Sequence, residues 1–407
     1  MLLLCLSGSA VYWHPFLAET FYVPMQDAFG FSNTQIGMLS STFGITSLVA
    51  YFPGGWLADR FSSRKLICIA LVIISASGFV FATIPSFEVC LVLYGVWGLA
   101  IALVFWSALI KAIRNWGRKD EQGRAYGILE GGRGIGDVAS GTLVLGLFAF
   151  RGSDYAALQE VILINASVPL VLAVLVWLYL QDETRSDENF RDDRSAVSVA
   201  QIMEVLRLPI VWLLAVIIMC AYFGYWGSFY FTPYATTVLG LGDVLGGAVG
   251  LSKYWIAPVA AIGAGLVADK IGTAKAVVGL FILMTSGFLI FGLLPGSPVL
   301  VPLLLVNVAV VSIAVFALRG IYFALMEEGG IPLVVTGTAT GVVSVIGYLP
   351  DIFAPAMAGM ILDAYPGAEG FQIFFLIIGG LSFVGLMAAY SVYRSVRRRV
   401  EPHAERI

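Results

Sequence analysis

The chain has 407 residues, of which 59% are hydrophobic and only 12% charged, with a mean hydropathy of +0.91 and a net charge of −3. A water-facing domain carries about twice that share of charged residues, and no basic stripe or zinc-ligand spacing is present, so a soluble enzyme and a nucleic-acid binder are excluded. Runs of about twenty apolar residues recur, the length of a bilayer-crossing helix. Alternating ten-residue segments of a β-barrel are absent. The expected fold class is an all-α membrane protein of twelve transmembrane helices, because backbone polar groups in lipid must pair internally.

In chain order the expected spans are 2–26, 34–57, 66–84, 88–112, 124–149, 159–180, 208–239, 246–268, 276–294, 299–326, 335–362 and 371–393. The stretch 181–207, which opens QDETRSDENFRDDRS, is too charged for lipid. It reads as a cytoplasmic linker between an N-terminal six-helix bundle, 1–180, and a C-terminal one, 208–393, with 394–407 as a cytoplasmic tail. The chain starts inside an apolar run without a basic leader, which reads as a first span with a missing or very short cytoplasmic lead. With both termini inside, 19 of the 23 Lys and Arg residues fall on cytoplasmic segments, Arg151 alone falls outside, and Arg133, Lys253 and Arg319 lie within spans. That asymmetry fixes the expected orientation, in the plasma membrane of a bacterium (its inner membrane). Cys5, Cys68, Cys90 and Cys220 stand alone in apolar runs and read as packing residues.

The two halves repeat. Gly55-Trp-Leu-Ala-Asp59-Arg60 after the second span matches Gly265-Leu-Val-Ala-Asp269-Lys270 after the eighth. Gly123, Gly127 and Asp137 in the fifth span fall on Gly337, Gly341 and Asp351 in the eleventh, at a constant offset of 214. Parallel six-span halves are the layout of a large transporter class, with the substrate site at mid-membrane.

The segment Gly55-Trp56-Leu57-Ala58-Asp59-Arg60-Phe61-Ser62-Ser63-Arg64-Lys65 resembles the loop signature of the major facilitator superfamily, with an extra serine where the signature has a glycine. The resemblance implies a cytoplasmic latch. Gly55 would let two helices approach, and Asp59, beside Arg60, would face the positive N-terminal end of a neighbouring helix. Asp269 is its repeat counterpart. Gly337-Thr338-Ala339-Thr340-Gly341, followed by Gly347-Tyr348-Leu349, is similar to the eleventh span of the organophosphate:phosphate antiporter family. Tyr12 through Pro24 and Phe29-Gly30-Phe31-Ser32 fit that family's first span and exit loop. The two arginines that hold phosphate there are replaced here by Phe16 and Tyr225, so phosphate exchange is not carried over. The chain looks like a distant relative, similar to uncharacterised bacterial transporters associated with sugar acids or sulfosugars.

An ionisable group inside a span costs at least about 2.5 kcal/mol on insertion scales and needs a partner or a cavity. Glu130, Arg133 and Asp137 share one helical face, where Arg133 can reach both carboxylates. They read either as a self-neutralised trio or as an anion site with an exchangeable proton. Arg319 and Lys253 have no acid at helical spacing and must meet either a substrate anion or an acid on another helix. Glu19, Asp351 and His14 join Asp137 and Glu130 as candidates for proton coupling. Tyr12, Tyr225 and Trp226 are candidates for stacking on a ligand. Pro15 and Pro24 in the first span, and Pro233 in the seventh, mark bends in equivalent helices.

The expected function is secondary active transport of a small organic anion (a carboxylate, sugar acid, or sulfo- or phospho-sugar) by a monomer, coupled to H+ rather than Na+. A ligand-binding sensor of the same shape, or an exporter of hydrophobic compounds, are the alternatives. No Ser/His/Asp set, metal-ligand cluster or phosphate cradle is present, so no enzyme activity, cofactor or metal is expected.

Overall fold

The structure, a computed structural model, describes residues 1–116, 122–181, 206–331 and 336–404. The linker 181–207 apart from its ends, Arg118 and Lys119, and the last residues of the tail lie outside the described residues, as does the side chain of Asp59. Among the described residues the secondary structure is helical throughout. The helices are α1 (Leu2–Ala10), α2 (Tyr22–Phe29), α3 (Asn33–Arg60), α4 (Ser63–Phe81), α5 (Phe87–Leu99), α6 (Ser107–Trp116), α7 (Gln122–Phe150) and α8 (Tyr155–Tyr179). They continue as α9 (Pro209–Phe229), α10 (Phe231–Thr237), α11 (Gly242–Ile271), α12 (Thr273–Leu293), α13 (Val301–Ile321), α14 (Leu325–Glu328), α15 (Thr336–Gly347), α16 (Pro350–Ala364) and α17 (Ala368–Ala404).

Ten of these helical segments are long and apolar enough to cross a membrane among the described residues. Large apolar side chains stand exposed along them, Leu143, Val259 and Ile262 among others. In water that surface would be an aggregation patch; in lipid it is the ordinary outer face. The first two expected spans are not among the ten. The first is interrupted between Ala10 and Tyr22, where a 3-10 turn, Leu17–Glu19, replaces regular helix. The second, α3, is 28 residues long yet stands outside the ten.

Proline accounts for the breaks in the first helix of each sequence half. Pro15 lies in the irregular stretch, and Pro24 and Pro233 are each the third residue of the short helix that restarts, α2 and α10. In a first turn the missing N–H costs nothing, so the ring is tolerated where a helix begins. A further irregularity carries no proline: Ala100–Trp106 is a π-helical segment joining α5 to α6. The eleventh span also breaks, between α15 and α16, and α17 runs on through the expected tail to Ala404.

Several helix N-termini are capped by side chains. Ser32 and Gln35 form a reciprocal capping box at the start of α3, with bonds of 3.2 and 2.9 Å. At the start of α4, Ser62 Oγ accepts from Lys65 N at 3.4 Å. This is the serine at the signature's glycine position, and its backbone is extended. The repeat counterpart Gly272 keeps the glycine, in the left-handed region at φ 90°. Without a side chain there, α12 is capped instead by the Glu328 carboxylate, which accepts from Thr273 N at 2.5 Å and Ala274 N at 2.7 Å.

The chain forms two compact units. One holds Met1–Asp187, Thr232–Tyr254 and Asp351–Asp363; the other holds Glu188–Phe231, Trp255–Pro350 and Ala364–Ile407. The first unit therefore includes two pieces from the second half of the sequence. Its core is aromatic around Trp97, with Phe81 at 5.3 Å and Tyr94 at 4.8 Å. In the second unit, Phe291, Phe288 and Phe371 gather round Phe375.

Candidate functional site

The first unit contains a buried ion pair. The break after α1 leaves Glu19 on a 3-10 turn with its backbone carbonyl turned out of any regular helix, and Thr232 Oγ1 donates to that oxygen at 2.5 Å. Glycines let α11 come close: a Cβ on Gly247 would lie 2.8 Å from the Thr20 carbonyl oxygen, and one on Gly250 would lie 3.0 Å from that of Glu19. Lys253 follows Gly250 by one turn, and its ammonium pairs with Glu19 Oε1. Tyr254 OH donates to the other oxygen, Oε2, at 2.5 Å. Both charged side chains are nearly closed to solvent, Lys253 at 0% and Glu19 at 4% exposure. Lys253 thus finds its acid across the sequence halves, and its charge is neutralised by protein.

The second unit holds Arg319 in a cradle of rings. Its guanidinium carbon lies 4.2 Å from the centroid of Tyr225, 5.4 Å from Tyr222 and 5.7 Å from Phe316. Tyr222 packs on Tyr348 at 4.8 Å. The Tyr322 hydroxyl bonds both Arg319 and Tyr348. Arg319 is half-buried near the end of α13, and Gly320 beside it lets α11 pack close through Ala261. Tyr225, a candidate for stacking on a ligand, thus lies against a guanidinium of the protein itself. Trp226 is buried against Phe229 at 5.1 Å and meets Tyr225 edge-on at 6.4 Å.

Arg133, on α7 in the first unit, lies with its guanidinium carbon 5.0 Å from the Trp106 centroid and 5.5 Å from Tyr12. Its Nε donates to the Gly8 carbonyl at 3.0 Å, and it pairs with Glu130 at 2.9 Å. A Cβ on Gly8 would sit 2.8 Å from the arginine's Cδ, so a side chain there would displace this stem. The expected trio is not realised as one cluster. Asp137 is bonded instead by Ser9 Oγ, which itself accepts from Trp13 Nε1 at 3.1 Å. The reason is packing. Gly132 and Gly136 draw α7 against Cys5 and Ser9 of α1, which sets a hydroxyl beside Asp137.

His14 is placed apart from these groups, buried flat on Trp97 at 5.3 Å with neither ring nitrogen hydrogen-bonded. Asp351 sits in the first turn of α16, where a carboxylate suits the helix dipole. A Cβ on Gly55 would meet open space, whereas one on Gly54 would lie 2.7 Å from the Ala102 carbonyl oxygen. The close helix approach expected at Gly55 thus belongs to Gly54. Arg60 lies over Trp56 of its own helix at 4.1 Å, and Asp269 is exposed at the end of α11.

Sequence reasoning missed Asp363. Oδ1 of this residue, at the end of α16, accepts from Asn33 N at 3.0 Å and Asn33 Nδ2 at 2.9 Å, and Oδ2 accepts from Thr34 N at 2.7 Å. It also missed Tyr254, Tyr322 and Tyr348. An acid at the end of an apolar run gives no signal of its partner. Tyr254 follows Lys253 directly and Tyr322 stands one turn after Arg319, so spacing could have found both, whereas Tyr348 reaches the Arg319 cradle from the break between α15 and α16 and gives no such signal.

Comparison with known proteins agrees with this architecture. The chain is 30% identical over 393 residues to the Escherichia coli inner membrane protein YqcE, covering 95% of this chain and 91% of that one. It is 28% identical to the E. coli inner membrane protein YihN, over 98% and 95% of the two chains. A probable anion transporter of Arabidopsis thaliana matches at 26% identity over 41% of this chain and 37% of its own. Among solved structures, a bacterial homologue of the human lysosomal transporter Spinster, inward-facing and occupied, superposes with a TM-score of 0.78 at 16% identity, over 97% and 96% of the chains. The nucleoside transporter NupG superposes with a TM-score of 0.74 at 14% identity, over 96% and 98%. The family model of the Major Facilitator Superfamily matches residues 4–355, so this multi-pass membrane chain is a transporter-family protein, not an enzyme, and belongs to that superfamily.

Proposed function

We propose that this chain moves a small organic anion across a bacterial inner membrane by alternating access of two six-helix halves, with both termini cytoplasmic and H+ as the coupling ion. The observation that carries the reading is Arg319 in its tyrosine cradle. Ring stacking engages the face of a guanidinium, and bidentate recognition of a carboxylate or phosphoryl group engages its edge, so the two are compatible. The resemblance to the organophosphate:phosphate antiporters supports the same cargo class. Tyr225 occupies the position that resemblance gives to an anion-holding arginine, and Arg319 lies directly on Tyr225. The partial similarity to a probable anion transporter points the same way.

Lys253 is better read as a gate than as a substrate contact, since Glu19 holds it. Glu19 is then the coupling candidate. A proton on that carboxylate would cancel the pair and release α11 from the turn that carries Glu19.

Uptake into proteoliposomes across a panel of carboxylates, sugar acids, sulfosugars and sugar phosphates tests the reading. Arg319→Ala is expected to lower anion uptake at least about tenfold, the scale of a lost charge-assisted hydrogen bond. Arg319→Lys is expected to recover little of it, because an ammonium reproduces neither the planar fork nor the stacking. Transport of a neutral or cationic compound that survives Arg319→Ala would overturn the anion assignment.

A further inference from the structure

We propose that Asp363 is a gating residue of the transport cycle, the latch that closes one end of the protein by capping the N-terminus of α3. The inference rests on the alternating-access part of the proposed function and not on its cargo.

The first turn of α3 presents backbone N–H groups that have no partner within the helix. The Ser32–Gln35 capping box takes two N–H groups, those of Ser32 and Gln35. Those of Asn33 and Thr34 remain, and both are taken by Asp363, 329 and 330 positions further along the chain. The same carboxylate holds the Asn33 side-chain amide, whose oxygen accepts from Tyr22 OH and Gln26 Nε2, each at 3.0 Å. One acid thus ties together α16, the start of α3 and the restarted helix α2.

The packing beneath it is built for contact. One turn before Asp363, a Cβ on Gly359 would collide with the Asn33 carbonyl group and lie 2.7 Å from Thr34 Cα. Backbone against backbone leaves no side chain to rotate away, so these helices meet only through glycine. The layout matches that of the buried pair in the same unit, where Gly250 brings two elements together and Lys253, one turn on, meets Glu19.

The latch differs from the buried pair in one respect that suits a gate. Asp363 is exposed, so its charge is hydrated when the bonds break, and opening does not strand an ion in lipid. With both termini cytoplasmic, this end faces outward. The family resemblance places Asp59 at the opposite end of the same helix, so α3 would carry a latch at each end.

Spin labels at Asp27→Cys and Tyr365→Cys, both exposed positions, read the opening directly. The four native cysteines are buried and leave the labelling clean. Three charge-assisted bonds are at stake, so Asp363→Ala is expected to raise the ratio of long-distance to short-distance populations at least about tenfold without substrate. It is also expected to lower kcat more than it changes KM. Asp363→Glu is expected to restore both in part. Asp363→Asn, which keeps the volume, gives the same reading if the alanine variant folds poorly. If wild type shows two populations and neither neutral variant shifts them, the latch assignment is overturned and alternating access stands. If no variant and no substrate produces a second population, both are overturned.

Discussion

Glu19→Gln is expected to destabilise the protein by about 3–5 kcal/mol, while Glu19→Gln combined with Lys253→Met restores most of that loss. The asymmetry comes from burial. Lys253 is fully closed to solvent and Glu19 nearly so, so removing the acid leaves an ammonium in a low-dielectric interior with no counter-charge. Methionine keeps the apolar stem and removes the charge, and replacing a whole buried pair by packed apolar groups is often close to neutral. Tyr254 OH and Thr232 Oγ1 still bind around the turn in the double variant, to the glutamine side chain and to the unchanged carbonyl of residue 19. Thermal melting in detergent checks this as a double-mutant cycle. Additive losses would show that the pair contributes no coupling energy. Transport separates the second role: if Glu19 carries the coupling proton, Glu19→Gln loses accumulation driven by a pH gradient but keeps exchange of labelled for unlabelled substrate. Loss of both would assign Glu19 to structure alone.

Ten of the twelve expected spans are matched by membrane-length apolar helices among the described residues, and these were legible because lipid imposes one demand on every crossing segment, a long apolar stretch whose backbone bonds close within it. The bends at Pro15 and Pro233 were legible for the same local reason, since proline removes an N–H wherever it stands. The π-helical segment at Ala100–Trp106 was not, because its sequence, AIALVFW, contains neither glycine nor proline and fits a regular helix equally well. The ionisable groups were found one by one, yet their partners were not. Glu19 and Lys253 read as separate candidates because helical spacing finds neighbours within one helix only. Arg133 was matched to two acids by spacing alone, and the hydroxyl of Ser9, on another helix, takes one of them. Adjacent glycines show the same limit: Gly54 and Gly55 are alike as residue types, and only the packing of α3 against the π segment decides which one is needed.

The largest effect on the cycle is expected from glycines on the stripe where α3 meets α16. A Cβ on Gly37 would collide with the Pro355 carbonyl oxygen, and one on Gly44 would lie 2.5 Å from that of Asp351. These positions are seven residues apart, two turns along one face. Alanine is a better helix former than glycine by up to about 1 kcal/mol at each site, so helix propensity alone predicts that Gly37→Ala/Gly44→Ala stabilises the protein. Contact predicts the opposite for this packing, because the obstructing atoms are backbone and cannot turn aside. The double variant is therefore expected to fold and reach the membrane, to shift the Asp27/Tyr365 label distances toward the long population, and to lower uptake at least about tenfold. Gly146→Ala on α7 is the matched control, since a Cβ there meets open space; it is expected to gain the propensity term with transport unchanged. Equal behaviour of the two variants would mean that the approach of α3 to α16 is incidental to transport. A selective loss in the first would show that this glycine stripe, with Asp363 at its end, is the surface on which the protein closes.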